Sequence, residues 1–168
     1  AGDADAPRLS FVSDPRTIIL DSSEIEMDKV TLPIHPEHPD KGVREWPLGD
    51  SPLKVKIASE DFTSREARRL KDFADIGIHH KKTVGGWTGD ISRTDRYGNT
   101  PIIHWLPSNM AQPAVLLHEE EGELCMYVGL LEVNDYPDGT VVQLERMGFA
   151  ILEGTEEDGA RRLVRLHG

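Results

Sequence analysis

At 168 residues, a formal net charge of -11 and a mean hydropathy of -0.44, the chain is long enough to bury a core without covalent staples, and no apolar run approaches the length of a membrane-spanning helix. One cysteine, Cys125, excludes an internal disulfide and a cysteine-based zinc site, and it fits a reducing, cytoplasmic setting. The charge is uneven: residues 1–40 hold 9 acids and 3 bases, residues 41–96 hold 9 acids and 12 bases, and residues 97–168 hold 12 acids and 4 bases. A polyanion-binding face is therefore expected to be local, and charge alone favours an ordinary acidic protein over a nucleic-acid binder.

In chain order, residues 1–7 are small, acidic and end in proline, which suits a linker. They carry no basic or apolar leader pattern, so a signal peptide is not expected. The missing initiator Met suggests processing or a piece of a longer chain. Short, often β-branched apolar runs follow at Leu9–Val12, Thr17–Leu20, Val30–Ile34, Leu53–Ile57, Pro101–Leu106, Ala114–Leu117, Leu124–Leu131, Thr140–Leu144, Phe149–Leu152 and Leu163–Leu166. Turn residues bound most of them, so the expected fold is all-β, a barrel or sandwich. Asp21–Asp28 reads as a hairpin loop. Prolines 36 and 39 make residues 35–42 an irregular loop. Ser59–Glu66 carries helix-start signals but is short. Residues 81–100 read as a mobile hairpin end. Cys125, inside an apolar strand, is expected to be a buried, inert thiol.

Few residues suggest chemistry. His35 and His38, with Glu37 and Asp40, have metal-ligand types, but no second pair accompanies them, and no metal is expected. His79 and His80 read as a solvated strand end. The glycine-rich stretch from Val84 to Gly89 lacks the Gly-Lys-Ser/Thr of a phosphate loop and reads as a turn with a packed Trp87. No Gly-x-Ser-x-Gly elbow occurs, and Glu119, Glu120, Glu121 and Glu123 read as a solvated turn, so no catalytic residues are assigned. Arg65, Arg68, Arg69 and Lys71 form the densest basic cluster. On a strand, Arg69 and Lys71 share a face and can grip phosphates or base edges, or simply be solvated. In Val141–Leu152, two short strands meet at Gly148. They set the amide of Gln143 near the guanidinium of Arg146, two groups able to hydrogen-bond a base edge and its phosphate.

Five segments, in order, resemble the anticodon-binding region of the class I synthetases for glutamate and glutamine. They are Arg8-Leu9-Ser10-Phe11-Val12-Ser13-Asp14-Pro15; the His35-Pro36 loop running through Gly42-Val43-Arg44 to Pro47; Arg69-Leu70-Lys71-Asp72; Ile102-Ile103-His104-Trp105-Leu106; and Gln143-Leu144-Glu145-Arg146-Met147-Gly148-Phe149. The compact form is most similar to the archaeal-type glutamyl enzyme. The resemblance implies two small β-barrels, one of about 23–113 inserted in another made of about 8–22 and 114–168. It implies Arg8, Gln143 and Arg146 at the central and third anticodon bases, Arg69 and Lys71 at the first, and Pro36 and Glu37 in the loop beside it. It also implies that tRNA and the remainder of a synthetase are the partners, with a monomer expected. ATP and Mg would act in a catalytic domain absent from this chain, so no cofactor is expected here. The basic insert that longer relatives carry before the Arg-Leu-Lys strand is reduced here to Phe62–Glu66. The same region of a glutaminyl enzyme and a non-catalytic protein-interaction barrel are the competing readings.

Overall fold

A computed structural model describes residues 3–62, 66–96 and 98–168. The strands are β1 (Arg8–Leu9), β2 (Phe11–Ser13), β3 (Pro15–Asp21), β4 (Lys29–Pro33), β5 (Val43–Pro47), β6 (Leu53–Ala58), β7 (Arg68–Leu70) and β8 (Ala74–Thr83). They continue with β9 (Gly86–Arg93), β10 (Ile102–Ile103), β11 (Leu106–Pro107), β12 (Ala111–Glu120), β13 (Glu123–Glu132), β14 (Val141–Leu144), β15 (Gly148–Thr155) and β16 (Arg161–His167). One short helix, α1 (Ser59–Phe62), realises the start of the expected helix. Arg65 of the basic cluster lies outside the described residues. Among the described residues, no helix is long and apolar enough to cross a membrane.

The chain divides into two compact units. The first contains residues 1–14, 33–44 and 111–168, and the second contains residues 15–32 and 45–110. Strand β3, expected to accompany the chain ends, instead pairs with β6 and β9 in the second unit. Asp21–Asp28 is a loop but not a hairpin, because it joins β3 to β4, which pairs with β5 in a separate two-stranded ribbon.

The first unit is a seven-strand sheet in the order β1-β14-β15-β16-β12-β13-β2. Its two edge strands, β1 and β2, are consecutive in sequence with only Ser10 between them. The edges therefore meet, and the sheet closes on itself as a barrel, which removes the exposed edges of an open sheet. Ser10 bridges the seam. Its N–H donates to Glu132 Oε1 at 3.0 Å, and its carbonyl accepts from Glu132 N. Arg44 Nε donates to the same carboxylate at 2.9 Å, and Arg44 Nη1 donates to the Pro33 carbonyl. Buried Glu132 is thus paired and hydrogen-bonded, the condition under which an interior charge is tolerated. Leu9, Phe11, Leu116, Leu131, Val142, Leu144, Leu152 and Leu163 fill the interior.

The second unit has the order β10-β7-β8-β9-β3-β6-β11, and its edge strands β10 and β11 are separated only by His104 and Trp105. It closes in the same way. Read from the first strand of each order, both barrels pair parallel, antiparallel, antiparallel, parallel, antiparallel, antiparallel. The two connectivities differ only in the closing strand. It comes first along the chain in the first unit (β1/β2) and last in the second (β10/β11). One barrel is a circular permutation of the other. The second core is more aromatic: Trp105 stacks on Phe73 and meets Trp46 edge-on, each at 5.2 Å between ring centroids. Its indole N–H donates to the Lys71 carbonyl at 2.9 Å, which satisfies the buried polar end of the ring.

Strands β8 and β9 turn at Val84-Gly85, so most of 81–93, expected as a mobile end, is paired strand. Gly86 is required there, since a Cβ would lie 2.7 Å from the Thr17 carbonyl oxygen. Trp87 is half-buried against Phe62, with ring centroids 4.7 Å apart.

Candidate functional site

In the first unit, parallel pairing of β1 and β14 sets Arg8 directly beside Gln143. Strand β14 then turns through Glu145, Arg146 and Met147 into β15, closed by Met147 N–H donating to the Leu144 carbonyl. Arg146 has φ 65, and Gly148 has φ 87. The second value needs glycine here, because a Cβ would strike the His167 carbonyl oxygen and approach Gly168 Cα to 2.7 Å. The first value is a left-handed conformation held by an arginine, which costs about 1–2 kcal/mol relative to an ordinary backbone.

Around this turn lies an open cavity of about 200 Å³ lined by Arg8, Gln143, Glu145, Arg146, Met147 and Arg165, with Leu144, Gly148 and Gly168 completing it. Three guanidiniums and one carboxylate make it locally cationic in an acidic chain. Arg8 Nη1 donates to Glu145 Oε1 at 3.1 Å, while Arg8 Nε is buried and has no hydrogen-bond partner among the described residues. Arg165 Nε donates to the Met147 carbonyl at 2.7 Å and so braces the turn from β16. The Gln143 side-chain amide makes no hydrogen bond among the described residues, leaving a donor and an acceptor facing the cavity margin. The structure thus brings three sequence-expected residues, Arg8, Gln143 and Arg146, to one site. Arg165 was not anticipated. Its only sequence signal is membership of an alternating basic strand, Arg161-Arg162-Leu163-Val164-Arg165.

Pro36 and Glu37 occupy an exposed turn of the same unit and do not line this cavity. His35 beneath them is buried. Its Nδ1 accepts from Glu37 N at 3.2 Å, and its Nε2 lies 2.8 Å from the Ala4 carbonyl. With both ring nitrogens engaged, His35 and His38, whose rings lie 4.4 Å apart, act as a loop brace.

In the second unit, β10 and β7 pair as β1 and β14 do, so Arg69 occupies the position of Gln143, and Lys71 that of Glu145. The following Asp72 has φ 62, and Phe73 N–H closes the turn onto the Leu70 carbonyl at 2.9 Å. Here the expected pair of outward cations divides. Arg69 is only 6% exposed. Its Nη1 reaches Asp75 Oδ1 at 3.4 Å and the Asp95 carbonyl at 3.3 Å, and its Nη2 donates to the Thr94 carbonyl at 2.8 Å. Its planar fork therefore ties β7 to the chain after β9. Lys71 sits half-buried at the turn.

The arrangement of one cationic turn, one free amide and one unpartnered guanidinium nitrogen can hold a planar, hydrogen-bonding anion such as a nucleotide. Comparison with known proteins agrees. Residues 6–94 match the family model described as "tRNA synthetases class I (E and Q), anti-codon binding domain". A "Glutamate--tRNA ligase" of Pyrococcus furiosus is 30% identical over 163 residues, covering 91% of this chain and 27% of that protein. Proteins of the same name from Methanoculleus marisnigri and Thermoplasma volcanium are each 29% identical, over 95% and 92% of this chain and 27% and 26% of those proteins. The chain spans about a quarter of the length of the curated relatives it matches. With more than half of its residues inside the family model, and two closed β-barrels in its structure, the chain belongs to the family of anticodon-binding domains of the class I tRNA synthetases for glutamate and glutamine.

Proposed function

We propose that this chain reads the anticodon of a glutamate tRNA as the C-terminal part of a glutamyl-tRNA synthetase, whose remaining part joins glutamate to the tRNA with ATP. The observation that carries this reading is the cavity at the β14–β15 turn, where Gln143 keeps both halves of its amide free beside Arg8, Arg146 and Arg165. A splayed base is read by hydrogen bonds to its edge, and the amide matches the paired donor and acceptor of a uracil edge. Arg8 and Arg146 supply planar donors for the base or its phosphate. In the second barrel, Lys71 is the cation assigned to the first anticodon base, held in place by the buried Arg69. In the first unit, Pro36 and Glu37 give an exposed turn its shape for the anticodon loop. That the named relatives are glutamate ligases supports glutamate over glutamine.

The test is a salt series of binding to a glutamate-tRNA anticodon stem-loop and to one with a scrambled loop. Preference for the native loop that survives moderate salt is expected. Equal affinities that collapse together as salt rises would reduce the site to phosphate attraction.

A further inference from the structure

The β12–β13 hairpin carries a second cluster of donor atoms that the reading above does not use. His118 and Glu120 share a face of β12, being two residues apart, and Cys125 of β13 is the direct register partner of His118. One ligand atom from each of the three lies within 4.8 Å of the other two. His118 is 8% exposed, yet its Nε2 is buried with no hydrogen-bond partner among the described residues. The nearest carboxylate oxygen, Glu120 Oε2, is 3.9 Å away, beyond hydrogen-bonding range. An imidazole nitrogen removed from water and left unsatisfied is costly, so it marks a place where a partner is missing. The ring is held in plane by Tyr127, stacked at 4.6 Å and 6°. His118 and Glu120 line a cavity of about 280 Å³ that Tyr127, Arg146 and Arg165 also line.

We infer that His118, Cys125 and Glu120 form a binding site for a divalent transition metal of the zinc type. Thiolate, imidazole and carboxylate are the three side-chain donors that zinc accepts, and three protein ligands with an open fourth position make a complete zinc site. Tetrahedral coordination places donor atoms about 3.3–3.6 Å apart, given metal–ligand bonds of about 2.0–2.3 Å. Closing the cluster requires its donor atoms, now within 4.8 Å of one another, to draw together, and the Glu120 side chain is 64% exposed. Thiolate and carboxylate together neutralise the dication, which matters beside two arginines. Cys125 loses its thiol proton on binding, and that proton passes to solvent. The thiol is half-buried and faces this cluster, in contrast to the inert core position expected of it.

Cobalt(II) titration tests the site, because Cys125 is the only thiol in the chain. A thiolate-to-cobalt charge-transfer band saturating at one equivalent, and displaced by zinc, is expected. Cys125→Ser should abolish it. Glu120→Gln and His118→Gln should each weaken cobalt affinity at least about tenfold, as loss of one ligand does. Thermal melts in chelator confirm that each variant is folded. Glu120→Gln alters an exposed side chain, so its result stands even if His118→Gln is destabilised. Absence of the band, or a band of unchanged affinity in Glu120→Gln and in a folded His118→Gln, would overturn the site and leave only a surface thiol.

Discussion

Gln143 and Arg69 occupy the same strand position in two barrels of identical strand pairing, each beside the closing strand and two residues before a turn with positive φ. Gln143 pairs with Arg8 and keeps its amide free, whereas Arg69 pairs with Ile102 and spends its guanidinium on Asp75, Thr94 and Asp95. One architecture thus presents an uncommitted polar side chain in the first barrel and an internal clamp in the second. The difference lies in the acid two strand positions beyond the turn: Asp75 faces Arg69, while the first barrel has Phe149 at the matching pairing position.

Arg146 holds a left-handed backbone that glycine would adopt without penalty. Arg146→Gly should therefore leave unfolding stability within about 1 kcal/mol of the parent, the strain relieved being offset by the greater flexibility of the unfolded chain. Anticodon stem-loop affinity should fall by about 1–3 kcal/mol, as for loss of a base-reading contact. Denaturant unfolding and binding titrations of the same sample separate the two. A large stability loss with an unchanged affinity would make Arg146 structural.

Arg69 should behave in the opposite way. The Arg69 and Asp75 side chains are 8% and 6% exposed, so Arg69→Ala leaves a buried carboxylate without its cation, and a loss of about 3–5 kcal/mol is expected. An Arg69→Met, Asp75→Leu double variant should recover most of it, because apolar replacement of a buried pair is often close to neutral. If the recovered variant binds the stem-loop as tightly as the parent, Arg69 serves the fold alone and neither reads a base nor positions Lys71.

Acid should weaken the first barrel through Asp138. Its carboxyl is held below the usual range by the hydrogen bond from Arg161, with a further bond from the Gly154 N–H. A carboxylate with a lowered folded-state pKa adds stability above its unfolded value, near 3.9, and that stability is lost as pH falls through the folded value. Asp138→Asn should lower the melting temperature slightly at pH 6, and the gap should close as pH drops below about 4. A gap that persists unchanged in acid would assign the effect to packing.

Much of this fold can be read in the chain. Ten apolar runs foreshadow strands because turn residues separate them. Strand β8 was foreshadowed only at His79 and His80, since Gly77 and the run His79-His80-Lys81-Lys82 break its apolar pattern, and its pairing with β9 is set by the sheet. The nearness of Gln143 and Arg146 was legible, because strand–turn–strand spacing is local, whereas Arg8, distant along the chain, was placed with them only by the resemblance. The burial of Arg69 was not, because Thr94 and Asp95, which capture its fork, lie about 25 residues away. The position of Cys125 was not legible either. Apolar Leu124, Met126 and Val128 suggest an inward face, yet they are exposed, and Cys125 and Tyr127 turn toward His118. Strand parity is clear in the sequence, but which parity faces the core depends on barrel closure.

The central claim is that Gln143 reads the middle anticodon base, and a double-mutant cycle tests it most directly. Affinities are measured for the parent and Gln143→Ala, each with a native glutamate-tRNA stem-loop and with one whose central uracil is replaced. The account predicts that Gln143→Ala costs about 1–3 kcal/mol with the native loop and almost nothing with the altered one. An equal cost with both loops would contradict it.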